Sequence, residues 1–220
     1  MPDRRINTLV ILLYMSVITM MLIGCRSAYY TVWEKLGKEK RHLLRDQVEN
    51  SRDDQQKASE AFNDALTRLK EMYDFQGGDL ETMYNRLSDD YENCNQRATA
   101  IDERIEKIQR IAQDLFAEWR LEIDQIHNPT FRSQSTQKLK ATESRFSSLE
   151  SALITARRRM TPVLGSLKDY VLYLKHNLNA QAIGSLQGEA SSIETDVGRL
   201  IRDIQKSIQE ADAFLKEIEK

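Results

Sequence analysis

Apolar residues recur at alternating steps of four and three along most of this chain, and no other feature limits its fold as much. The longest series runs Leu80, Tyr84, Leu87, Tyr91, Cys94, Ala98, Ile101, Ile105, Ile108, Ala112, Leu115, Trp119, Glu122, Ile126, and only Glu122 interrupts it. Such a series draws one narrow stripe along a helix, and the stripe drifts so that partner helices must supercoil to keep it covered. At about 1.5 Å per residue, positions 79–127 predict a helix of about 70 Å. A second series, Leu44, Val48, Ser51, Gln55, Ala58, Phe62, Ala65, Leu69, Met72, precedes it. Its polar members Ser51 and Gln55 reduce stability and can set register. A third runs Ser135, Leu139, Thr142, Phe146, Leu149, Leu153, Ala156, Met160 and continues with Val163, Leu167, Tyr170 and Leu174. The last is Leu186, Ala190, Ile193, Val197, Leu200, Ile204, Ser207, Ala211, Leu215, Ile218.

The breaks between the series are chemically marked. Gly77-Gly78 predicts a turn, and Asp79 a helix N-cap behind it. At His127-Asn128-Pro129, Asn suits a left-handed cap and Pro cannot continue a hydrogen-bond ladder. Pro162 predicts a kink or a close break. The stretch 177–184 holds the last reversal, with Asn and Gly closing the turn. Four long amphipathic segments joined by short turns predict an all-α fold, an elongated antiparallel bundle or coiled coil of about four long helices. The alternative is a homo-oligomeric coiled coil whose seams are shared between chains.

Composition supports helices and narrows the partners. Charged residues make up 30% of the 220 and aromatics 7%, with only 8 Gly and 3 Pro, which suits long charged helices better than a sheet. The formal net charge is −2. Removing residues 1–24 takes away Arg4, Arg5 and Asp3 and leaves 30 basic against 33 acidic residues. A near-neutral chain lacks the concentrated basic face that nucleic acid calls for.

The N-terminus has its own logic. Arg4 and Arg5 precede an apolar stretch, Leu9 to Ile23, which ends in Leu22-Ile23-Gly24-Cys25. A positive start, an apolar middle and a small residue before the cut are the parts of a secretory signal. The stretch is shorter than the ~20 residues of a spanning helix, and the arginines orient the rest of the chain outside the cytoplasm. The last four residues resemble the lipobox of bacterial lipoproteins. That resemblance implies cleavage between Gly24 and Cys25, a diacylglycerol on the Cys25 thiol and an acyl chain on the new amino group. Residues 1–24 are then a signal peptide and 25–220 a single helical domain. An uncleaved anchor is the competing reading of 6–24. Arg26 is not the aspartate associated with inner-membrane retention, so by the same resemblance the outer membrane is favoured, with the protein facing the periplasm. With Cys25 acylated, Cys94 has no partner in the chain, and its seam position predicts burial rather than redox chemistry.

Two stretches, Tyr29-Tyr30-Thr31-Val32-Trp33-Glu34-Lys35-Leu36-Gly37-Lys38-Glu39-Lys40-Arg41 and Leu174-Lys175-His176-Asn177-Leu178-Asn179-Ala180-Gln181-Ala182-Ile183-Gly184, resemble a bacterial family of uncharacterised membrane lipoproteins, a domain of unknown function. The resemblance covers essentially the whole chain after Cys25 and implies a membrane-tethered helical protein. It carries no activity and no catalytic residues.

Candidate chemistry is sparse. Lys175, His176, Asn177 and Asn179 sit at a charge-poor reversal and are the candidate partner-binding residues; the competing reading is a packed helical corner. Tyr29, Tyr30 and Trp33 suit either a membrane interface or a helix contact. Arg157-Arg158-Arg159 covers three faces of a helix, which is the pattern of a solvated surface more than of a lipid or phosphate site. His42, His127 and His176 share no metal-ligand spacing with each other or with Cys94, so no metal is expected. Asp53-Asp54 and Asp89-Asp90 look like surface charge. No P-loop, nucleophile elbow or dinucleotide fingerprint occurs. These features predict a non-enzymatic, lipid-anchored envelope scaffold or adaptor with a protein partner and no cofactor beyond its acyl chains. The alternatives are a regulator of an envelope enzyme and, further off, an enzyme.

Overall fold

A computed structural model describes residues 40–73 and 79–218. Gly24, Cys25, the apolar stretch before them, Tyr29, Tyr30, Trp33 and the Gly77-Gly78 turn lie outside the described residues. The chain divides into two compact units, 1–43 and 44–220. Of the first, only Lys40–Leu43 is described, as the opening turn of a helix.

Four helices account for the described residues, with no strand among them: α1 Lys40–Tyr73, α2 Leu80–Gln125, α3 Pro129–His176 and α4 Ala180–Ile218. Their ends follow local chemistry. Asp79 caps α2, its carboxylate accepting from the Glu81 and Thr82 amides. The Thr82 hydroxyl also donates to the Asp79 carboxylate, and this bond first, with the Thr82 amide, holds the Asp79 carboxyl below its ordinary range. Asn128 does not adopt the left-handed cap expected of it. Its φ of −70° is extended, and its side chain N-caps α3 by accepting from Thr130 N at 2.9 Å and Phe131 N at 3.2 Å. Pro129 thus opens α3, where its fixed φ helps and its missing N–H has no intrahelical partner to lose. Pro162 does not break α3, which runs unbroken from Pro129 to His176. Met160, Val163 and Leu167 are buried on either side of it, so packing on both flanks offsets the lost ladder bond.

Paired side chains give the topology of residues 44–218. Arg68 meets Asp90 and Arg104 meets Asp54, so α2 descends as α1 ascends. Arg157 with Asp102, Gln109 with Glu150 and Arg120 with Glu143 set α3 antiparallel to α2. The three-residue reversal between His176 and Ala180, with Arg159 meeting Asp203 further along, sets α4 antiparallel to α3. Arg52 with Asp212 and Lys70 with Glu194 close the ring between α1 and α4. The result is an up-down-up-down four-helix bundle with short connections. Half-exposed ion pairs of this kind contribute little stability each; they fix which face meets which neighbour. The arginine run shows it, since Arg157 faces α2 while Arg159 faces α4.

The heptad seams form the core. All nine α1 seam residues from Leu44 to Met72 are buried, Ser51 and Gln55 included. In α2 the stripe follows the expected series through Leu87, Cys94, Ile101, Ile105, Ile108 and Ala112. It then rotates: Ile111, Phe116 and Ile123 are buried, while Leu115, Trp119 and Ile126 are half-buried and Glu122 is exposed. A straight α-helix drifts about 20° per heptad against a strict seven-residue repeat, which moves the buried face by one position. Trp119 turns its indole N–H to Ser135 Oγ at 3.0 Å. Phe146 of α3 stacks edge-on against Phe116 of α2 (5.6 Å between centroids) and Phe214 of α4 (5.8 Å), tying three helices at one level.

Candidate functional site

The α3–α4 corner lies at the end of the bundle opposite to that where α1 begins. Leu174 is fully buried and anchors the last turn of α3. Asn177 closes it: its backbone N–H donates to Leu174 O at 3.1 Å and its Nδ2 to Tyr173 O at 2.9 Å. Asn179 opens α4 by accepting from the Ala182 amide at 2.9 Å. No glycine takes part. Gly184 lies inside α4 with open space around it; the two asparagines supply the capping bonds at both helix ends instead. Ala182, Ile183 and Leu186 turn inward and seat α4 on the core.

The four residues singled out at this corner separate into two roles. Asn177 and Asn179 are capping groups. Lys175 and His176 are exposed in the last turn of α3, where the Lys175 ammonium complements the helix dipole. Sequence periodicity passed over their neighbours. Leu172 is 51% exposed, Tyr173 40% and Leu178 37%. Three of the five large apolar side chains exposed among the described residues thus fall within seven positions, beside Lys175 and His176. A signal for them existed: Leu172 and Tyr173 are apolar yet fall off the Val163–Leu167–Leu174 stripe.

Just inside the corner, burial pushes the Tyr170 hydroxyl up, with the charge of Glu189 adding to it. Tyr73 is pushed up more strongly by burial, and its hydroxyl has no hydrogen-bond partner. Cys94 is a buried free thiol, and burial raises it to about 12, with Asp90 and Asp64 adding. A thiol so held is protonated and inert at neutral pH. Among the described residues no group of three or more His, Cys, Asp or Glu could hold a metal ion, and no helix is long and apolar enough to cross a membrane.

A family model described as "Protein of unknown function (DUF2959)" matches residues 29–218. The chain belongs to this family. The match takes in all four helices of the DUF2959 chain, both stretches that carried the resemblance and the whole α3–α4 corner. Neither a curated protein nor a solved structure matches it.

Proposed function

We propose that the protein is a lipid-anchored scaffold or adaptor of the bacterial cell envelope, held at Cys25 on the periplasmic side, with the outer membrane favoured, and offering its α3–α4 corner to a partner protein. One observation supports this above the rest: Leu172, Tyr173 and Leu178 stay exposed at the end of the bundle opposite to that where α1 begins. Apolar side chains gathered on a surface of otherwise charged helices mark interaction sites. Tyrosine with an aliphatic neighbour and a polar rim is the make-up of an interface centre, and Lys175 and His176 supply that rim. α3 holds the corner about 70 Å of helix from the α2–α3 turn. The working principle is geometric: the acyl chains keep one end at the bilayer, two or more being needed for stable attachment, and the bundle carries the corner to its partner.

The test is site-specific photo-crosslinking in cells. A crosslinker at Tyr173 is expected to trap a discrete protein that one at exposed Ser148 does not trap. Leu172→Ser with His176→Ala should remove the adduct while circular dichroism stays unchanged. A palmitate analogue should label the wild type and not Cys25→Ala. Labelled protein with no adduct specific to Tyr173 sinks the adaptor reading. A trapped hydrolase whose activity rises on binding would convert it to the regulator alternative.

A further inference from the structure

A second apolar feature lies at the opposite end. Register places it: Arg104 beside Gln47 and Asp54 sets the level of α1 against α2, and Arg52 beside Asp212 sets α4 against α1. From these pairs, α2 runs about a dozen residues, roughly 18 Å, past the level of Leu44 and Ile218, and α3 starts at that tip. Between Phe116 and Leu139 only Ile123 is buried. Leu121 is 65% exposed and Phe131 60%, the two most exposed of the large apolar side chains described.

We propose that this α2–α3 tip docks on an anionic lipid surface, the bilayer that holds the acyl chains of Cys25, with Phe131 entering the interface and Arg132, Lys138 and Lys140 meeting headgroup phosphates. The inference rests on the lipid-anchor reading above. Chain length argues for it first. The 14 residues from Arg26 to Glu39 span at most about 48 Å when fully extended, and α1 begins at the end of the bundle where the tip projects. The α3–α4 corner stands a full helix length further off. Charge argues second. From Pro129 through Thr142, α3 carries Arg132, Lys138 and Lys140 and no acidic residue; Glu143, the next carboxylate on α3, pairs with Arg120 of α2, and Glu118, Glu122 and Asp124 belong to α2. A groove of about 450 Å³ opens there, lined by His127, Pro129, Arg132, Ser133, Thr136 and Lys140 among others, with no carboxylate. Arg132 donates from Nε to Ile126 O at 2.9 Å and from Nη2 to Asp124 O at 3.2 Å, which ties α3 to the end of α2 and keeps its guanidinium at the tip. An exposed aromatic ring beside basic side chains is the make-up of an interfacial membrane contact.

The experiment uses the full chain, acylated in cells and reconstituted into phosphatidylethanolamine vesicles containing phosphatidylglycerol. A polarity-sensitive fluorophore is placed at Thr130→Cys or, for comparison, at Tyr173→Cys; Cys94 is buried and does not compete for label. Emission at 130 is expected to shift blue and to be quenched by brominated acyl chains, and that at 173 is not. Each basic residue near an anionic surface is worth about fivefold in partitioning, so Lys138→Gln with Lys140→Gln should lower the docked-to-undocked ratio roughly 30-fold. Quenching at 130 no greater than at 173, in chains that mass spectrometry shows to be acylated, overturns the docking and leaves the anchor standing. A Cys25 without an acyl chain removes both.

Discussion

At the scale of single residues, burial decides behaviour that identity alone leaves open. Cys94 is a seam residue whose thiol is raised to about 12, against an ordinary 9.0, first by burial. The folded state therefore retains a proton that the unfolded chain releases above about pH 9. Between pH 9 and 12 the unfolded state binds fewer protons, so stability falls as pH rises through that window and is untouched below it. Denaturation midpoints measured from pH 7 to 11 should decline only above 9, and alkylation of Cys94 at pH 8 should wait for unfolding. Phe146 touches rings on two other helices. Phe146→Ala is expected to cost about 3–5 kcal/mol in urea unfolding, and Phe146→Leu less, since the aliphatic side chain fills part of the hole. Equal losses for the two would mean that the edge-on ring contacts, rather than filled volume, hold this level together.

At the scale of helices, tertiary packing overrides local preference in α3. Pro162 removes one ladder bond and is exposed, yet the helix continues because buried neighbours on both sides hold it. Pro162→Ala should therefore stabilise the protein, by about 1–3 kcal/mol given the penalty of proline inside a helix. Thermal unfolding with far-ultraviolet circular dichroism checks this, and an unchanged or lower midpoint would show that α3 needs its proline. The caps were mostly legible: Asp79 caps α2 as its position behind two glycines implies. Asn128 was legible as a break and misread as to side, because Asn serves both a helix start and a helix end. The deciding fact is that Pro129 can only follow as the first residue of the next helix.

At the scale of the bundle, the polar members of the seams set the balance between stability and specificity. Gln55 is fully buried. Its Nε2 donates to Ser51 O at 3.2 Å and to Ser51 Oγ at 3.3 Å, while its Oε1 has no partner. Ser207 of α4 is also fully buried, with its hydroxyl unpartnered, and the Arg52–Asp212 pair puts it within a turn of the level of Gln55. Unpaired buried polar groups cost about 1–3 kcal/mol each, so Gln55→Leu should raise the unfolding free energy by an amount of that order. A polar layer permits fewer alternative registers than an apolar one. The same variant should then show more than one species by light scattering where the wild type shows one. A Gln55→Leu protein that is more stable and equally uniform would remove register control from the role of this layer.

The chain's own periodicity determined that it is helical, where the four helices lie, and most of the residues that α1 and α4 bury, though not Ala61 of α1 or Phe214 of α4. Heptad spacing and capping side chains are properties of a few neighbouring positions, so they can be read in one dimension. The pairing of the helices around the bundle, the turn of the α2 stripe to Phe116 and Ile123, the unbroken path through Pro162 and the glycine-free α3–α4 turn were decided by tertiary structure. So was the surface chemistry. Leu121, Phe131, Leu172, Tyr173 and Leu178 are of the same residue types as the core, and what exposes them is that no helix among the described residues covers them at their level and angle. Exposure depends on where all the other helices end, and the spacing along any one of them does not record it.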